Sequence, residues 1–205
     1  NKVMGVVRRS FSYMDCDIFN QLYKALVRPH LEYANPVWSP SLKKNIIAIE
    51  NVQRRATKSI ASLRDLSYEE RLRSLKLPTL IYRRLRGDMI ETYKITSEKY
   101  DKEIQNIFPM YKDHVKRSGN RGHSKKIFKQ RAKRNLRKNF FTNRVIDFWN
   151  LLPESVISAP SVKSFERRLD KHWSRQPIVY NFEAIINRNQ INPEVIVTED
   201  LDIED

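Results

Sequence analysis

The chain has 205 residues, 40% hydrophobic and 10% aromatic, enough apolar material for one core or for two small ones joined by a polar linker. Its 39 Lys and Arg against 24 Asp and Glu leave a net charge of +15, a surplus that speaks of polyanionic partners: RNA, DNA or, less often, an acidic membrane surface. The single cysteine, Cys16, excludes an intrachain disulfide framework, four glycines and nine prolines argue against a collagenous or all-β chain, and no apolar run approaches the roughly 20 residues of a membrane-spanning helix.

The first residues, Lys2 to Arg9, read like the middle of an element, so the chain is expected to be part of a longer product. No signal-peptide pattern opens it, and an intracellular, nuclear setting is the expectation. Ile18, Phe19, Leu22, Leu26 and Leu31 predict a helix over 15–34, with Asp15 as N-cap and Asp17 in the first turn; Pro29 should kink or break it near Val27 or Arg28. Ser39-Pro40 predicts a second start, an N-cap followed by proline. From there Leu42, Ile46, Ile49, Val52, Ala56 and Ile60 form one apolar face, opposite Lys43, Lys44, Arg54, Arg55 and Lys58.

Ser67-Tyr68-Glu69-Glu70 is a capping box for a short helix that Pro78 ends. A helix from about Thr79 to Ile95 should turn Leu80, Ile81, Leu85, Met89, Ile90 and Tyr93 inward and Arg83, Arg84 and Arg86 mostly outward, with Gly87 weakening it. Residues 96–111 lose periodicity and read as a linker. Lys112 to Lys138 then holds twelve bases against one acid, with a turn signal at Ser118-Gly119-Asn120-Arg121-Gly122, and predicts a short β-hairpin or extended ribbon. Helices follow at about 142–152 and from Ser161, the latter with Val162, Phe165, Leu169 and Trp173 on one stripe. Residues 178–205 hold seven acids against one base, and 174–205 is expected to be a disordered acidic tail. Without 178–205, the remaining body carries +21.

No pair of carboxylates sits where strands would present it to Mg²⁺, the histidines lack zinc-helix spacing, and no glycine-rich phosphate loop is present, so no catalytic residue is assigned. Cys16 reads as an inert thiol. The cationic run instead suits phosphate neutralisation with counterion release. Its candidate contacts are Arg54, Arg55, Lys58, Arg121, His123, Lys125, Lys126, Lys129, Arg131, Lys133, Arg134, Arg137 and Lys138. Phe128, Phe140 and Phe141 lie among these charges, where aromatics can stack on unpaired bases, but the expectation for Phe140 and Phe141 is to anchor the ribbon to the next helix.

The segment from Leu22-Tyr23-Lys24-Ala25-Leu26-Val27-Arg28-Pro29-His30-Leu31-Glu32-Tyr33-Ala34 resembles the stretch just after the palm in non-LTR retrotransposon (LINE, jockey-like) reverse transcriptases. Val52-Gln53-Arg54-Arg55-Ala56-Thr57-Lys58, Ser67 to Leu72, Leu77 to Leu80 and Arg83 to Asp88 resemble the family's next blocks. Arg121-Gly122-His123-Ser124, Phe148-Trp149-Asn150-Leu151-Leu152-Pro153 and Ser161-Val162-Lys163-Ser164-Phe165 to His172-Trp173 continue it in order. The resemblance implies a mainly α fold with a thumb-like helical bundle over 1–95, a linker over 96–111, a basic hairpin-plus-helices region over 112–173 and the acidic tail. It implies that the thumb holds a template–primer duplex, with Arg54, Arg55 and Lys58 toward its backbone. The paired-aspartate palm motif and the endonuclease domain are not in this sequence. Polymerase activity, and its Mg²⁺, are therefore expected of a parent protein, and the missing palm and fingers are expected partners. No cofactor is expected in this chain. The second reading is a host nucleic-acid-binding or interaction protein derived from a transposable element, in which the acidic tail folds back on the basic body.

Overall fold

A computed structural model describes residues 2–11, 13–111, 122–184 and 186. Among these the fold is mainly α, as expected, and no strand is present. Helix α1 (Lys2–Ser10) buries Met4 and Val7. Helix α2 (Cys16–Leu22) starts where Asp15 accepts from the Ile18 amide at 2.8 Å, leaving the Cys16 thiol half-buried. The helix then widens into a π turn over Tyr23–Val27 before α3 (Arg28–Glu32), which carries Pro29 in its first turn. Proline has no N–H to give and crowds the carbonyl four residues back, so the ladder breaks close to where Pro29 predicts.

Helix α4 (Lys43–Thr57) begins later than Ser39-Pro40 suggests. Its N-cap is the extended Leu42, which offers no side-chain cap. Ser39 and Pro40 instead wall a surface groove. The buried face of α4 also differs from its apolar stripe: Leu42 is 56% exposed, while Glu50, Gln53, Ala56 and Thr57 are buried. Hydrogen bonds explain this polar seam. Tyr23 donates to Gln53 Oε1 and Tyr68 to Glu50 Oε1, each at 2.6 Å; Gln53 donates to the Pro78 carbonyl at 3.1 Å. Buried polar atoms are tolerated when satisfied in this way.

Helix α5 (Tyr68–Leu75) has the expected capping box, with Ser67 accepting from the Glu70 amide and Glu70 from the Ser67 amide. Lys76 ends it in the left-handed region at φ 51°. Helix α6 (Leu80–Thr96) is capped by Thr79, and Glu50 Oε2 accepts from the Leu80 amide at 3.0 Å, an anion set on a helix N-terminus. The arginines of α6 do not point outward. Arg84 is buried, Arg83 pairs with Glu32, and Arg86 donates to Asp170 at 2.6 and 2.8 Å. Helices pack against α6, so Arg83 and Arg86 meet acids rather than water, while the terminal nitrogens of Arg84 are buried without a hydrogen-bond partner among the described residues.

A short α7 (Lys102–Gln105) follows. The expected hairpin reduces, among the described residues, to one antiparallel bridge between Met110 and Ile127; its proposed turn lies outside them. Asn150 takes the place of a partner strand, hydrogen-bonding both the amide and the carbonyl of Ile127. The chain then forms α8 (Asn135–Asn139), α9 (Phe141–Arg144), α10 (Ile146–Asn150), α11 (Glu154–Ile157) and α12 (Val162–Trp173).

Apolar side chains gather in two clusters. The first joins Met4, Phe19, Tyr23, Val27, Ala56, Ile60, Leu63, Leu72, Leu75 and Leu77. The second centres on Tyr93, Trp149 and Phe165, with Tyr93 and Phe165 stacked at 4.3 Å, and takes in Tyr82, Met89 and Ile95 of α6 together with Phe108. The tail expected from 174 begins later: Ile178 and Gln176 are buried, and the Thr79 amide donates to the Val179 carbonyl at 2.8 Å. Its apolar residues, spaced without helical period, dock on the body through a 3₁₀ turn (Pro177–Val179). Residues 187–205 lie outside the described part. No described helix is long and apolar enough to cross a membrane.

Candidate nucleic-acid interface

The candidate contact residues fall into three groups. Arg54, Arg55 and Lys58 share the C-terminal end of α4 but not one environment. Arg54 is sandwiched between the rings of Tyr68 and Phe182, at 5.0 and 5.1 Å, so the docked tail covers it. Arg55 is exposed, and Lys58 opens onto a cleft of about 360 Å³ shared with Arg8 and Arg64.

The second group is structural in its contacts. His123 is 4% exposed; its Nε2 donates to the Trp149 carbonyl at 3.0 Å and its ring stands edge-on to Trp149. Burial pushes this imidazole below its ordinary range. Ser124 beside it donates its amide and hydroxyl to Glu154, at 2.6 and 2.9 Å. The Gly122-His123-Ser124 turn is thus a clamp onto α10 and α11, and the ring sits beneath the surface. Lys125 donates to Ser97 Oγ at 2.8 Å and lies over the Tyr93 ring at 5.5 Å; burial lowers its pKa. Lys126 is half-buried beside Gly122, whose φ of 124° leaves no room for a Cβ against that lysine. Arg121 lies outside the described residues.

The third group forms a continuous exposed band. Arg131, Lys133, Arg134, Arg137 and Lys138 are all exposed, and none forms an ion pair among the described residues. Lys129, which pairs with Asp147, joins Arg131 and Lys138 along a cleft of about 630 Å³ that Asn139, Asn143, Arg144 and Asp147 also line. The chain holds these groups out because α8 buries nothing: even Leu136 is 77% exposed.

Periodicity and charge miss an apolar groove beside this band. Its volume is about 550 Å³ and its walls are the 37–41 turn, the outer face of α4 and the Leu136–Phe140 segment. Phe140 and Phe141 part company here. Phe141 joins the second core, as expected of both, but Phe140 is 55% exposed. Phe140 is the extended N-cap of α9 and Phe141 its first residue; Phe140 stays at the surface while Phe141 turns into the core. Trp38 is 42% exposed opposite it.

Arg144 joins the two walls. It donates to Asp88 Oδ1 at 2.9 Å and Oδ2 at 3.0 Å, and to the Asn35 carbonyl at 2.9 Å, while Asn35 Nδ2 donates to Asp88 at 2.8 Å. Desolvation raises the Asp88 pKa, and Arg144 opposes that rise. No group of three or more His, Cys, Asp or Glu that could hold a metal is found among the described residues. Comparison with protein-family models, curated proteins and solved structures finds no match to this chain.

Proposed function

We propose that this chain is a non-catalytic nucleic-acid-binding piece of a non-LTR retrotransposon reverse transcriptase. It corresponds to the thumb and the region after it, and it holds template RNA or an RNA–DNA hybrid through backbone phosphates. The observation that carries the binding is the band from Arg131 to Lys138, where exposed cations stand together without acidic partners among the described residues. The ordered motifs from Leu22 to Trp173 carry the family reading. In this reading the palm and fingers of the parent supply the Mg²⁺ chemistry, and the work of this chain is done in the nucleus beside them.

Cations without local partners make phosphate binding favourable through counterion release. Occupying about six phosphates should give log K a slope against log salt of roughly −4 to −5. A titration of RNA and of RNA–DNA hybrid onto the full chain at several salt concentrations tests this. A slope near zero defeats the proposal.

A further inference from the structure

We propose that the groove between Trp38 and Phe140 takes unpaired bases of a single-stranded nucleic acid, while the adjoining cationic cleft takes its phosphates. This rests on the nucleic-acid reading above and narrows its ligand to a strand with free base faces.

Phe11, Tyr13 and Tyr33 are also exposed, but Trp38 and Phe140 face each other across one groove. Trp149 and Trp173 are 0% and 2% exposed, whereas Trp38 and Phe140 keep 42% and 55% of their surface open. They are nevertheless held in place. Trp38 Nε1 donates to the Tyr33 carbonyl at 2.8 Å and its amide to the Ala34 carbonyl at 3.1 Å. On the other wall, the Phe140 carbonyl accepts from the amides of Asn143 and Arg144, both at 2.9 Å. Arg144 binds the first wall through the Asn35 carbonyl. The Trp38 ring, fixed by its own hydrogen bond, and the anchored backbone of Phe140 lose little freedom when a flat ligand stacks between them.

The charges name the ligand. Asn139 lines both the apolar groove and the cleft that holds Lys129, Arg131 and Lys138, so the two are contiguous. A groove with aromatic walls beside a cationic track is the arrangement that binds single strands, with bases stacked and the backbone neutralised. A duplex hides its base faces and leaves the rings without a role. An apolar peptide or a second copy of this chain would leave the cationic track unmatched.

Trp38 is also the exposed tryptophan, so its fluorescence reads the groove directly. The full chain is titrated with a short oligodeoxyuridine, with a strand of the same length built from abasic residues, and with a duplex. The uridine strand should quench Trp38 and bind roughly 5- to 150-fold more tightly than the abasic strand, the range for stacking one base on an aromatic. Trp38→Ala and Phe140→Ala should each lose affinity for the uridine strand within that range and keep their affinity for the abasic strand. Far-ultraviolet circular dichroism and an unchanged unfolding midpoint report an intact fold in each variant. Equal affinity for the uridine and abasic strands, each with a steep salt slope, overturns the groove and leaves phosphate binding standing. Preference for the duplex, or self-association that Trp38→Ala abolishes, also overturns it. If no strand binds in low salt, both readings fall.

Discussion

Replacing Arg144 by alanine should be among the most damaging single changes in the second half of the chain. The guanidinium makes two hydrogen bonds to Asp88, at 2.9 and 3.0 Å, and one to the Asn35 carbonyl at 2.9 Å. The side chains of Arg144 and Asp88 are 17% and 5% exposed. Without Arg144, the Asp88 carboxylate stays buried with Asn35 Nδ2 as its remaining hydrogen-bond donor. Truncating one member of such a pair costs about 3–5 kcal/mol, because the other charge is left in a low-dielectric site. The sign with pH follows from Asp88, whose pKa is raised above its ordinary 3.8 by desolvation. A raised carboxylate contributes stability below its unfolded pKa and loses it as pH rises through the folded value. The Arg144→Ala deficit should therefore be smaller near pH 4 than at pH 7, since protonation relieves the stranded charge. Urea unfolding of wild type and variant at both pH values, followed by circular dichroism, measures this. A loss below about 1 kcal/mol at pH 7, or a deficit larger at pH 4, refutes the account of a buried pair.

Gly87→Ala should stabilise the chain by about 0.5–1 kcal/mol, since a helix-interior glycine costs that much and a Cβ there would meet Asn35 Nδ2 at an ordinary 3.8 Å; thermal unfolding that shows a loss would mean the site is tighter than this contact. His172 is 2% exposed, neither ring nitrogen has a partner among the described residues, and burial lowers its pKa. Its contribution is present above pH 6.5 and is lost as pH falls toward the folded value, so His172→Leu should flatten the fall in unfolding free energy between pH 7 and pH 5; an unchanged slope would count against the buried neutral ring. Arg134→Ala with Arg137→Ala should reduce the salt slope of single-strand binding by about 1.4, at roughly 0.7 per phosphate contact, and leave stability unchanged. A stability loss instead would assign those side chains to packing.

Local signals with a covalent or hydrogen-bonding cause were legible in the sequence. The capping box at Ser67, the Asp15 cap and the break beside Pro29 all depend on residues within one turn of each other. The features that sequence could not yield depend on partners far along the chain. Arg84 and Arg86 sit on a helix that looks cationic outside, yet the acids of α12 and the Glu50 seam surround it from elsewhere. The apolar stripe of α4 likewise stays half open because Tyr23 and Tyr68 seek its polar side. His123 had the composition of a phosphate contact, and only the position of Trp149 in space buries it. No sequence signal marks the groove: adjacent Phe140 and Phe141 do not require it, since Val145 and Ile146, in the same positions at the start of α10, are both buried in one core.

The distribution of the cationic surplus bears on function more directly than its size. On α6 the bases are spent internally: Arg83 on Glu32, Arg86 on Asp170 and Glu166, and Lys94 on Glu91. Those pairs hold α6 to the elements on either side of it, which is work a neutral core could share. Between Arg131 and Lys138 the same residue types form no such pairs among the described residues, and α8 has no buried face to stabilise it. Like charges close together raise the free energy of the folded chain. A segment that repels itself and contributes nothing to a core is difficult to explain by folding alone. It is explained once a polyanion supplies the missing negative charge, with the open rings of Trp38 and Phe140 at its edge to meet whatever the phosphates carry.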